Sequence, residues 1–379
     1  MMKINKRIVF ASEHYNPLGI VRSLGENGIP VIAIVLKSSK KITSKSKFIS
    51  KLHFVDSIDE GYQLLLSKYG NEELKPLVYT ADDRITNFLD AHYNELKDRF
   101  YFYNAGKTHR IAEFQNKDNI LKLAKRHGLQ YLETFAVDTG EVPDGLQYPI
   151  ITKAIISTID NWKDDMFICH NEEELLKAYK KIRSPRVLLQ RYIEKKNELC
   201  LEGVSVNKGD SVFISIASTY NYLLKDSYSP YMTVKNLHNE QVETSLKNMF
   251  KEIQFEGIFE VEFLIDQDDQ LYFLEINFRN STWSYASTIA GMPLPIIWAD
   301  GMLNSRGVEL AYRKIEKPFT AMVEFTDYVE RVKRQGYPFF KWLRDFRNAE
   351  CKYYLGKNDI MPFIACILSI FKSKVKRIF

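Results

Sequence analysis

Three glutamates and an asparagine are concentrated in one stretch of the chain, EGIFEVEFLIDQDDQLYFLEINFRN. Its alternating apolar and polar residues predict two β-strands joined by a polar turn. A four-residue turn at Gln267–Gln270 places Glu262 opposite Glu275 and Glu260 opposite Asn277. Because strand side chains alternate between faces, these four residues are expected to share one face. The other face is expected to be apolar and to carry Val261, Phe263, Ile265, Leu274 and Ile276.

The shared polar face is chemically unusual because it holds three carboxylates and no cation on the strands. Directly opposed like charges destabilise a hairpin, so a positive group is expected to compensate them. Carboxylate and amide oxygens are hard ligands that suit Mg²⁺, and Mg²⁺ often bridges such carboxylates to substrate phosphates. The alternative is a solvated strand face that is balanced by Arg279 or a nearby lysine. The hairpin by itself leaves both interpretations open.

The composition is that of a globular protein of ordinary type. At about 100–200 residues per domain, 379 residues indicate two or three domains. The net charge of +5 is mild and gives no indication of nucleic-acid binding. The cysteines show no metal-binding spacing and are expected to be reduced cytoplasmic thiols; they are Cys169, Cys200, Cys351 and Cys366. No apolar run resembles a signal peptide or reaches the ~20 residues needed to span a bilayer.

The amino-terminal third predicts a parallel, doubly wound α/β unit. Arg7–Ala11 is expected to be a strand, Ile20–Asn27 a helix and Ile29–Leu36 a second strand. In such sheets ligands bind at the carboxyl ends of the strands, so the loop Ser12–Gly19 should face the site. That loop is not a GxGxxG motif. It is either an ordinary connection or part of a polar substrate pocket.

A second polar loop is expected at the same edge of the sheet. Asp82 and Asp83 follow the predicted strand Leu77–Thr80 and precede the predicted helix Ile85–Leu96. They are either an N-cap for that helix or substrate contacts.

The centre of the chain predicts antiparallel strands with helices behind them, which is an α+β architecture. The region between the strand Ser211–Ala217 and the helix Val242–Ile253 is expected to be irregular. The tail 362–379 begins apolar and ends in lysine and arginine. Its apolar part is too short to span a membrane, but such a helix can lie in a membrane interface or dock on the protein's own surface.

The middle of the chain, roughly 107–300, resembles the ATP-grasp superfamily. The best-matching piece, VEFLID…LYFLEINFR, is similar to the paired metal-binding strands of that family. The resemblance implies that Glu262, Glu275 and Asn277 hold Mg²⁺ against the phosphates of ATP. It also implies that Arg279 faces an acyl phosphate or an acceptor carboxylate. Glu260 matches less firmly and is expected to support the site from behind.

Three further segments carry the resemblance. NKDNILKLAKRHGL is similar to the helix that opens the ATP-binding region, and YPIITK to the strand bearing a second phosphate-contacting lysine. LLQRYIEKKNELCLEG looks like the hinge strand beside the adenine, near 187–195. The residues implied to bind ATP are Lys117 and Lys153 at the phosphates, Gln190, Tyr192 and Ile193 at the adenine, and Glu198 at the ribose. Without the resemblance, Gln190 would be taken for an exposed strand residue.

One segment departs from the family pattern. Most members place a glycine-rich lid after the second lysine, whereas here the segment is AIISTIDNWKDDMF and contains no glycine. Either Ser157, Thr158 and Lys163 cover the phosphates with side chains, or the lid closes differently. Glycine-poor lids occur in the carboxylate–amine ligase branch that includes D-aspartate ligase. Two further segments of this chain, NPLGIVRSLGENGIPV and LGKNDIMPF, also resemble that branch.

The resemblance implies a three-part organisation. It comprises an amino-terminal α/β pre-ATP-grasp domain (1–105), an ATP-grasp domain (106–305) and a carboxyl-terminal extension with a basic amphipathic tail (306–379). The implied fold is therefore α/β and α+β.

The implied activity is a ligase that forms an amide with ATP and Mg²⁺, for which Mn²⁺ is an alternative. ATP would activate a carboxylate as an acyl phosphate, which an amine then attacks. Arg279 and Lys225 are the candidates for stabilising that intermediate. The expected partners are a small carboxylate and an amine, such as an amino acid or amino sugar, and a homodimer is the default assembly.

The expected setting is the cytoplasm, at or near the inner face of the membrane, in bacterial cell-envelope or polysaccharide biosynthesis. Two other interpretations stay open at this stage. One is an ATP-dependent carboxylase or a phosphoribosyl-amine-type ligase. The other is a non-catalytic ATP-binding scaffold or sensor with the same fold.

Overall fold

The structure is a computed structural model that describes residues 4–155, 165–224, 228–304 and 307–375. Within these ranges the strands form three sheets. The amino-terminal sheet has four strands, a large central sheet has seven, and a third sheet of four strands carries the segment predicted to contact adenine.

The amino-terminal sheet is wholly parallel and has the strand order β3-β2-β1-β4. Its strands are β1 Arg7–Ala11, β2 Val31–Leu36, β3 Ile49–Val55 and β4 Leu77–Tyr79. Its helices are α1 Tyr15–Gly25, α2 Ile58–Tyr69, α3 Asp83–Ala91 and α4 Tyr93–Leu96. The prediction of a parallel α/β unit is confirmed, and the carboxyl ends of β1 and β4 lie side by side.

Helix α1 begins five residues before the predicted start, so the expected loop Ser12–Gly19 is largely helical. His14 occupies the N-cap position, and its ring nitrogen Nδ1 accepts the backbone N–H of Asn16 at 3.2 Å. Pro17 lies in the first turn, where a proline disrupts no helical hydrogen bond. The polar composition of this stretch therefore concealed a helix start.

The third sheet is antiparallel, with the order β5-β8-β6-β7. Its strands are β5 Thr134–Asp138, β6 Ile150–Ala154, β7 Ile168–Cys169 and β8 Arg186–Arg191. The helices that precede or cover it are α5 Arg110–Gln115, α6 Lys117–Arg126 and α7 Glu172–Tyr179. This sheet brings the candidate phosphate contacts on α6 and β6 close to the hinge strand β8.

The seven-stranded sheet has the order β13-β12-β9-β10-β11-β14-β15. Its strands are β9 Asn197–Val206, β10 Ser211–Tyr220, β11 Tyr231–Lys235, β12 Gly257–Ile265, β13 Leu271–Asn277, β14 Phe319–Met322 and β15 Cys351–Lys352. The helices of this half are α8 Glu240–Ile253, α9 Ser284–Ile289, α10 Leu294–Asn304, α11 Glu324–Asp327, α12 Phe339–Asn348 and α13 Met361–Val375. A π-helical segment, Tyr328–Arg334, follows α11. The expectation of irregular structure is wrong for β11, where Met232 and Val234 alternate into the core.

The β12–β13 hairpin has the predicted pairing at its functional end and a different turn. Glu262 lies opposite Glu275 and Glu260 opposite Asn277, as predicted. The four-residue turn is wrong, because Ile265 rather than Asp266 pairs with Leu271. A β-bulge in β13, next to the pair of Glu262 and Glu275, accommodates one extra residue, Leu274.

The bulge changes the apolar face of β13. Phe273 is fully buried and pairs with Phe263, whereas Leu274, predicted to be core, is only partly buried. The bulge therefore restores the register that the turn alone would have shifted.

The carboxyl-terminal region is fastened to α1 by a buried ion pair. Arg22 donates from Nε to Asp359 at 3.1 Å, and both side chains are fully buried. The same guanidinium donates to the carbonyl oxygens of Tyr353 at 2.8 Å and Tyr354 at 2.7 Å. No helix among the described residues is long and apolar enough to cross a membrane.

Candidate active site

The predicted carboxylate face exists and is bridged by the side chain of Asn277. Its amide nitrogen donates to Glu262 at 2.9 Å and to Glu260 at 3.1 Å. Glu275 lies across the strand pair from Glu262 and is partly exposed. Glu260 is buried, so it lies deeper than the other two acids. The strand register has therefore brought together the four residues that the sequence singled out.

The pKa shifts on this face indicate a shortage of positive charge. Burial, followed by the neighbouring carboxylates, raises the pKa of Glu262 well above its usual range. Burial and then Glu202 do the same for Glu260. The pKa of Glu275 is lowered: burial acts to raise it, but the ammonium groups of Lys117 and Lys153 outweigh burial.

These residues fit a divalent cation shared with phosphates. Two carboxylates and an amide make an incomplete ligand set of the kind that Mg²⁺ completes with phosphate oxygens and water. Among the described residues no cluster of three or more histidine, cysteine, aspartate or glutamate side chains has the arrangement of a complete metal site. A metal at Glu262, Glu275 and Asn277 would thus depend on the nucleotide.

A fourth carboxylate, Glu202, was missed by sequence reasoning. It is fully buried on β9 directly opposite Glu260, and it accepts hydrogen bonds of 2.5 Å from both Ser281 and Ser284. Burial raises its pKa to about 7. The alternation in NELCLEG was the available signal, since it places Glu198 and Glu202 on one face of the strand.

The two candidate phosphate-binding lysines face the same space. Lys117 opens helix α6, and its Nζ lies 3.4 Å from Glu275. Lys153, on β6, donates from Nζ to Gln190 at 2.7 Å. Burial and then the Lys117 ammonium lower the pKa of Lys153 to about 8. Two ammonium groups that repel each other in this way fit an anionic ligand between them.

The segment predicted to contact adenine is ordered by its neighbours. Gln190 is buried, not exposed as its strand position alone had suggested, and its amide nitrogen donates to Thr134 at 3.0 Å. Tyr192 and Ile193 are partly buried just after β8, and the Tyr192 N–H donates to the carbonyl of Pro149 at 2.8 Å. The proposed adenine contacts Tyr192 and Ile193 therefore come just after strand β8, whose Gln190 accepts the hydrogen bond from Lys153.

Glu198, predicted to bind the ribose, starts the polar side of β9. It forms an ion pair with Lys195 and a hydrogen bond with the buried Tyr220. It therefore lies between the hinge and the carboxylate face, as a ribose contact would require.

Arg279 connects the carboxylate face to a neighbouring cleft. Its Nη2 donates to the side-chain oxygen Oδ1 of Asn277 at 3.2 Å, and its Nε donates to the Asp83 carboxylate at 2.8 Å. The cleft has a volume of about 340 Å³. It is lined by Ser12, His14, Asn16, Ala81, Asp82, Asp83, Arg84 and Arg279.

The cleft combines both polar loops of the amino-terminal sheet. Asp82 caps helix α3 by accepting the N–H of Arg84 at 3.0 Å, and the Arg84 side chain returns to the Asp82 carboxylate at 2.9 Å. Burial and then Arg279 lower the pKa of His14 to about 4, so this imidazole is neutral at physiological pH. Asp82 and Asp83 thus serve the helix and also line the cleft, so the two interpretations of these residues are compatible.

Some predicted residues lie outside the described part of the chain. These are Lys225, the second candidate for stabilising the acyl phosphate, and the lid residues Ser157, Thr158 and Lys163. Of the tail 362–379, residues up to 375 are described as part of helix α13.

The central part of the chain matches a known type of domain. Residues 123–284 match the sequence model of the ATP-grasp domain. N5-carboxyaminoimidazole ribonucleotide synthase from Staphylococcus aureus (strain COL) is 24% identical over 223 residues, which cover 57% of this chain. The match spans 58% of that relative, less than two thirds of its length.

Solved structures show the same fold. Over 90% of this chain and 87% of the other, the structure resembles N5-carboxyaminoimidazole synthetase from S. aureus, with a TM-score of 0.66 and 16% identity. Over 79% of this chain and 74% of the other, it resembles L-amino acid ligase from Bacillus licheniformis, with a TM-score of 0.58 and 13% identity. The fold expected from the hairpin, the lysines and the hinge strand is confirmed. The narrower likeness to D-aspartate ligase stays a prediction.

Proposed function

Because the chain carries an ATP-grasp domain, we propose that it is an ATP- and Mg²⁺-dependent ligase that joins a carboxylate to an amine. One observation carries the proposal. A continuous series of contacts runs from Lys117 through Glu275 and the facing Glu262 to Asn277 and Arg279. It begins where phosphates would bind and ends at the cleft where a second substrate could lie.

The first half-reaction is phosphorylation of the carboxylate. A carboxylate oxygen attacks the γ-phosphorus of ATP, the bond to the β-phosphate oxygen breaks, and ADP leaves. Lys117 and Lys153 hold the phosphates, and Glu262, Glu275 and Asn277 would hold Mg²⁺, which would neutralise phosphate charge. The chain's main contribution is positioning and charge, so no side-chain nucleophile is needed.

The second half-reaction forms the amide. The amine nitrogen attacks the acyl carbon, the bond from that carbon to the phosphate oxygen breaks, and inorganic phosphate leaves with the proton lost by the amine. Arg279 faces the cleft with a guanidinium that is partly buried against Asp83 and suits a carboxylate or acyl phosphate. We assign to it the stabilisation of the intermediate; Lys225 keeps the same proposed role.

The cleft supports an amino acid or amino sugar as the amine. Its lining carries Asp82 and Asp83 together with Arg84 and Arg279, so the formal charges cancel. A zwitterionic amine suits such a balanced lining, because its ammonium and its anionic or hydroxyl groups each find a partner. A phosphorylated ribose would bring about two further negative charges without a matching excess of cations. This charge balance supports an amino acid or amino sugar over the substrate of a phosphoribosyl-amine-type ligase, and an ATP-dependent carboxylase stays a second candidate.

The setting proposed for this reaction is the cytoplasm, in cell-envelope or polysaccharide biosynthesis. Four unpaired cysteine thiols support a reducing compartment. The pathway rests on the sequence resemblance alone, and metabolite profiling of a deletion strain would test it. A homodimer is proposed as the assembly, and light scattering on the purified protein would test that.

Hydroxylamine trapping tests the proposed chemistry directly. Supplied with ATP, Mg²⁺ and a carboxylate but no amine, the enzyme should convert hydroxylamine into a hydroxamate and release ADP. We expect Glu275→Gln to abolish both products, whereas Glu173→Gln, at an exposed glutamate on α7, should leave them unchanged. Hydroxamate formation by Glu275→Gln at the wild-type rate would overturn the metal assignment. Tight ATP binding without turnover across a broad panel of carboxylates would favour the non-catalytic scaffold instead.

A further inference from the structure

An unpartnered apolar stripe runs along the outer side of helix α13. Ile364 and Leu368 lie one turn apart on one face of α13, and Ile360 continues the same four-residue spacing just before the helix begins. Their exposed fractions are 52%, 37% and 55%. The stripe is therefore a row of large apolar side chains that the described part of the chain leaves substantially exposed.

The opposite side of α13 is fixed to the protein. Phe363 stacks on Phe325 with ring centroids 5.1 Å apart, and Cys366 packs against the core. Just before the helix, the Asp359 carboxylate accepts the N–H of Lys47 at 2.9 Å as well as the Arg22 guanidinium. Since the inner side is held in this way, the stripe cannot turn inward without breaking these contacts.

The surface beside the stripe is basic. Helix α13 packs against the turn Thr43–Lys45, which lies within a lysine-rich loop. Lys40, Lys45 and Lys47 are all exposed on this loop. The sequence LKSSKKITSKSKFISK, which contains the loop, has no acidic residue, and neither does the stretch from Met361 to the carboxyl end of the chain. Two acid-free segments thus meet at the edge of the apolar stripe.

We propose that this face, formed by the α13 stripe together with Lys40, Lys45 and Lys47, docks on the surface of an anionic lipid bilayer. A helix with an apolar stripe and adjacent lysines lies in the interface plane, with its side chains among the acyl chains and the ammonium groups at the phosphates. The charge pattern favours this occupant. A second copy of the chain would bring the same lysines together and repel, because a two-fold interface pairs a surface with itself. Docking would hold the enzyme beside the lipid without a spanning segment, and it does not depend on the proposed ligase activity.

Co-sedimentation of the full chain with vesicles tests the proposal. We expect binding to vesicles that contain phosphatidylglycerol, little binding to pure phosphatidylcholine, and a loss of binding at high salt. Each lysine that reaches the surface should contribute about fivefold in affinity. Lys40→Glu/Lys45→Glu is therefore expected to weaken binding about 25-fold or more, and Ile364→Glu/Leu368→Glu should abolish it.

Matched controls distinguish docking through this face from nonspecific adsorption to vesicles. Phe340→Glu removes a more exposed apolar side chain on α12, and Lys177→Glu removes an exposed lysine on α7. Both variants should bind vesicles as the wild type does, and a cooperative thermal unfolding transition should show that every variant is folded.

Three results would overturn the proposal. The first is no sedimentation of the wild type with anionic vesicles, and the second is equal binding to neutral and anionic vesicles at any salt concentration. The third is a stripe variant that binds vesicles normally but turns an oligomer into a monomer in light scattering, which would assign the stripe to a contact between copies.

Discussion

Raising the pH should weaken nucleotide binding through Lys153. Its pKa is lowered to about 8, first by burial and then by the nearby Lys117 ammonium. A bound phosphate would restore the charged form, so the pKa should return toward the usual value of about 10.4 and binding should take up a proton. Affinity should therefore be greatest below about pH 8, where the free protein already carries the ammonium. Between about pH 8 and 10 it should fall by nearly tenfold per pH unit.

At pH 9 this reasoning gives an affinity about tenfold weaker than at pH 7, or about 1.4 kcal/mol. Calorimetry with ADP in the absence of Mg²⁺ measures the effect, because the terminal phosphate has a second pKa of about 6 and is largely ionised across this pH range. Lys153→Arg provides the control, because a guanidinium stays charged throughout this range and should remove most of the slope. Lys196→Arg, at an exposed lysine paired with Asp269, should keep the wild-type slope. A wild type with no slope, or a Lys153→Arg variant that retains it, would refute the assignment of Lys153 to the phosphates.

The remaining predictions concern stability and are measured by urea unfolding. Arg22→Met should lower the free energy of unfolding by about 3–5 kcal/mol, because it leaves the Asp359 carboxylate buried without its cation; an unchanged urea midpoint would contradict a stabilising role for this ion pair. Gly203→Ala should cost about 1–3 kcal/mol, since a Cβ there would overlap a carbonyl oxygen of the neighbouring strand; a neutral result would mean that the sheet can yield. Trp342→Phe should cost about 1.5–3 kcal/mol through loss of the 2.8 Å hydrogen bond from its indole N–H to the buried Asp327 carboxylate; an unchanged stability would show that this hydrogen bond contributes nothing.

The hairpin shows how much local pattern can predict. Alternation at period two placed Glu260, Glu262, Glu275 and Asn277 on one face, and the structure has the same pairing. The turn was wrong by one residue. The prediction survived because a bulge on the facing strand compensated, and no pattern in the sequence indicated that bulge. The bulge is visible only in the hydrogen bonds between the two strands. Without it, a one-residue shift in pairing would have turned the carboxylates of one strand toward the core.

Helix α1 and strand β11 show where local pattern failed. The polar residues before Pro17 suggested a loop, but the His14 cap starts the helix there. The tyrosines around β11 suggested irregular structure, yet Tyr231–Lys235 pairs with strands on both sides. The cap is a local contact that the polar composition concealed, whereas the pairing of β11 with β14 depends on residues distant in sequence.

The sequence by itself determined the fold class, the ATP-grasp resemblance and the identity of the residues on the carboxylate face. It could do so because strand periodicity and short motifs depend on neighbours along the chain. Only the tertiary structure decided which groups face one another across elements. In the folded chain Arg279 forms an ion pair with Asp83, Glu202 lies opposite Glu260 on the neighbouring strand, and Lys117 lies close enough to Lys153 to lower its pKa. These relations depend on how sheets and helices pack, and electrostatic coupling depends on distance through space, which residue spacing along the chain does not fix.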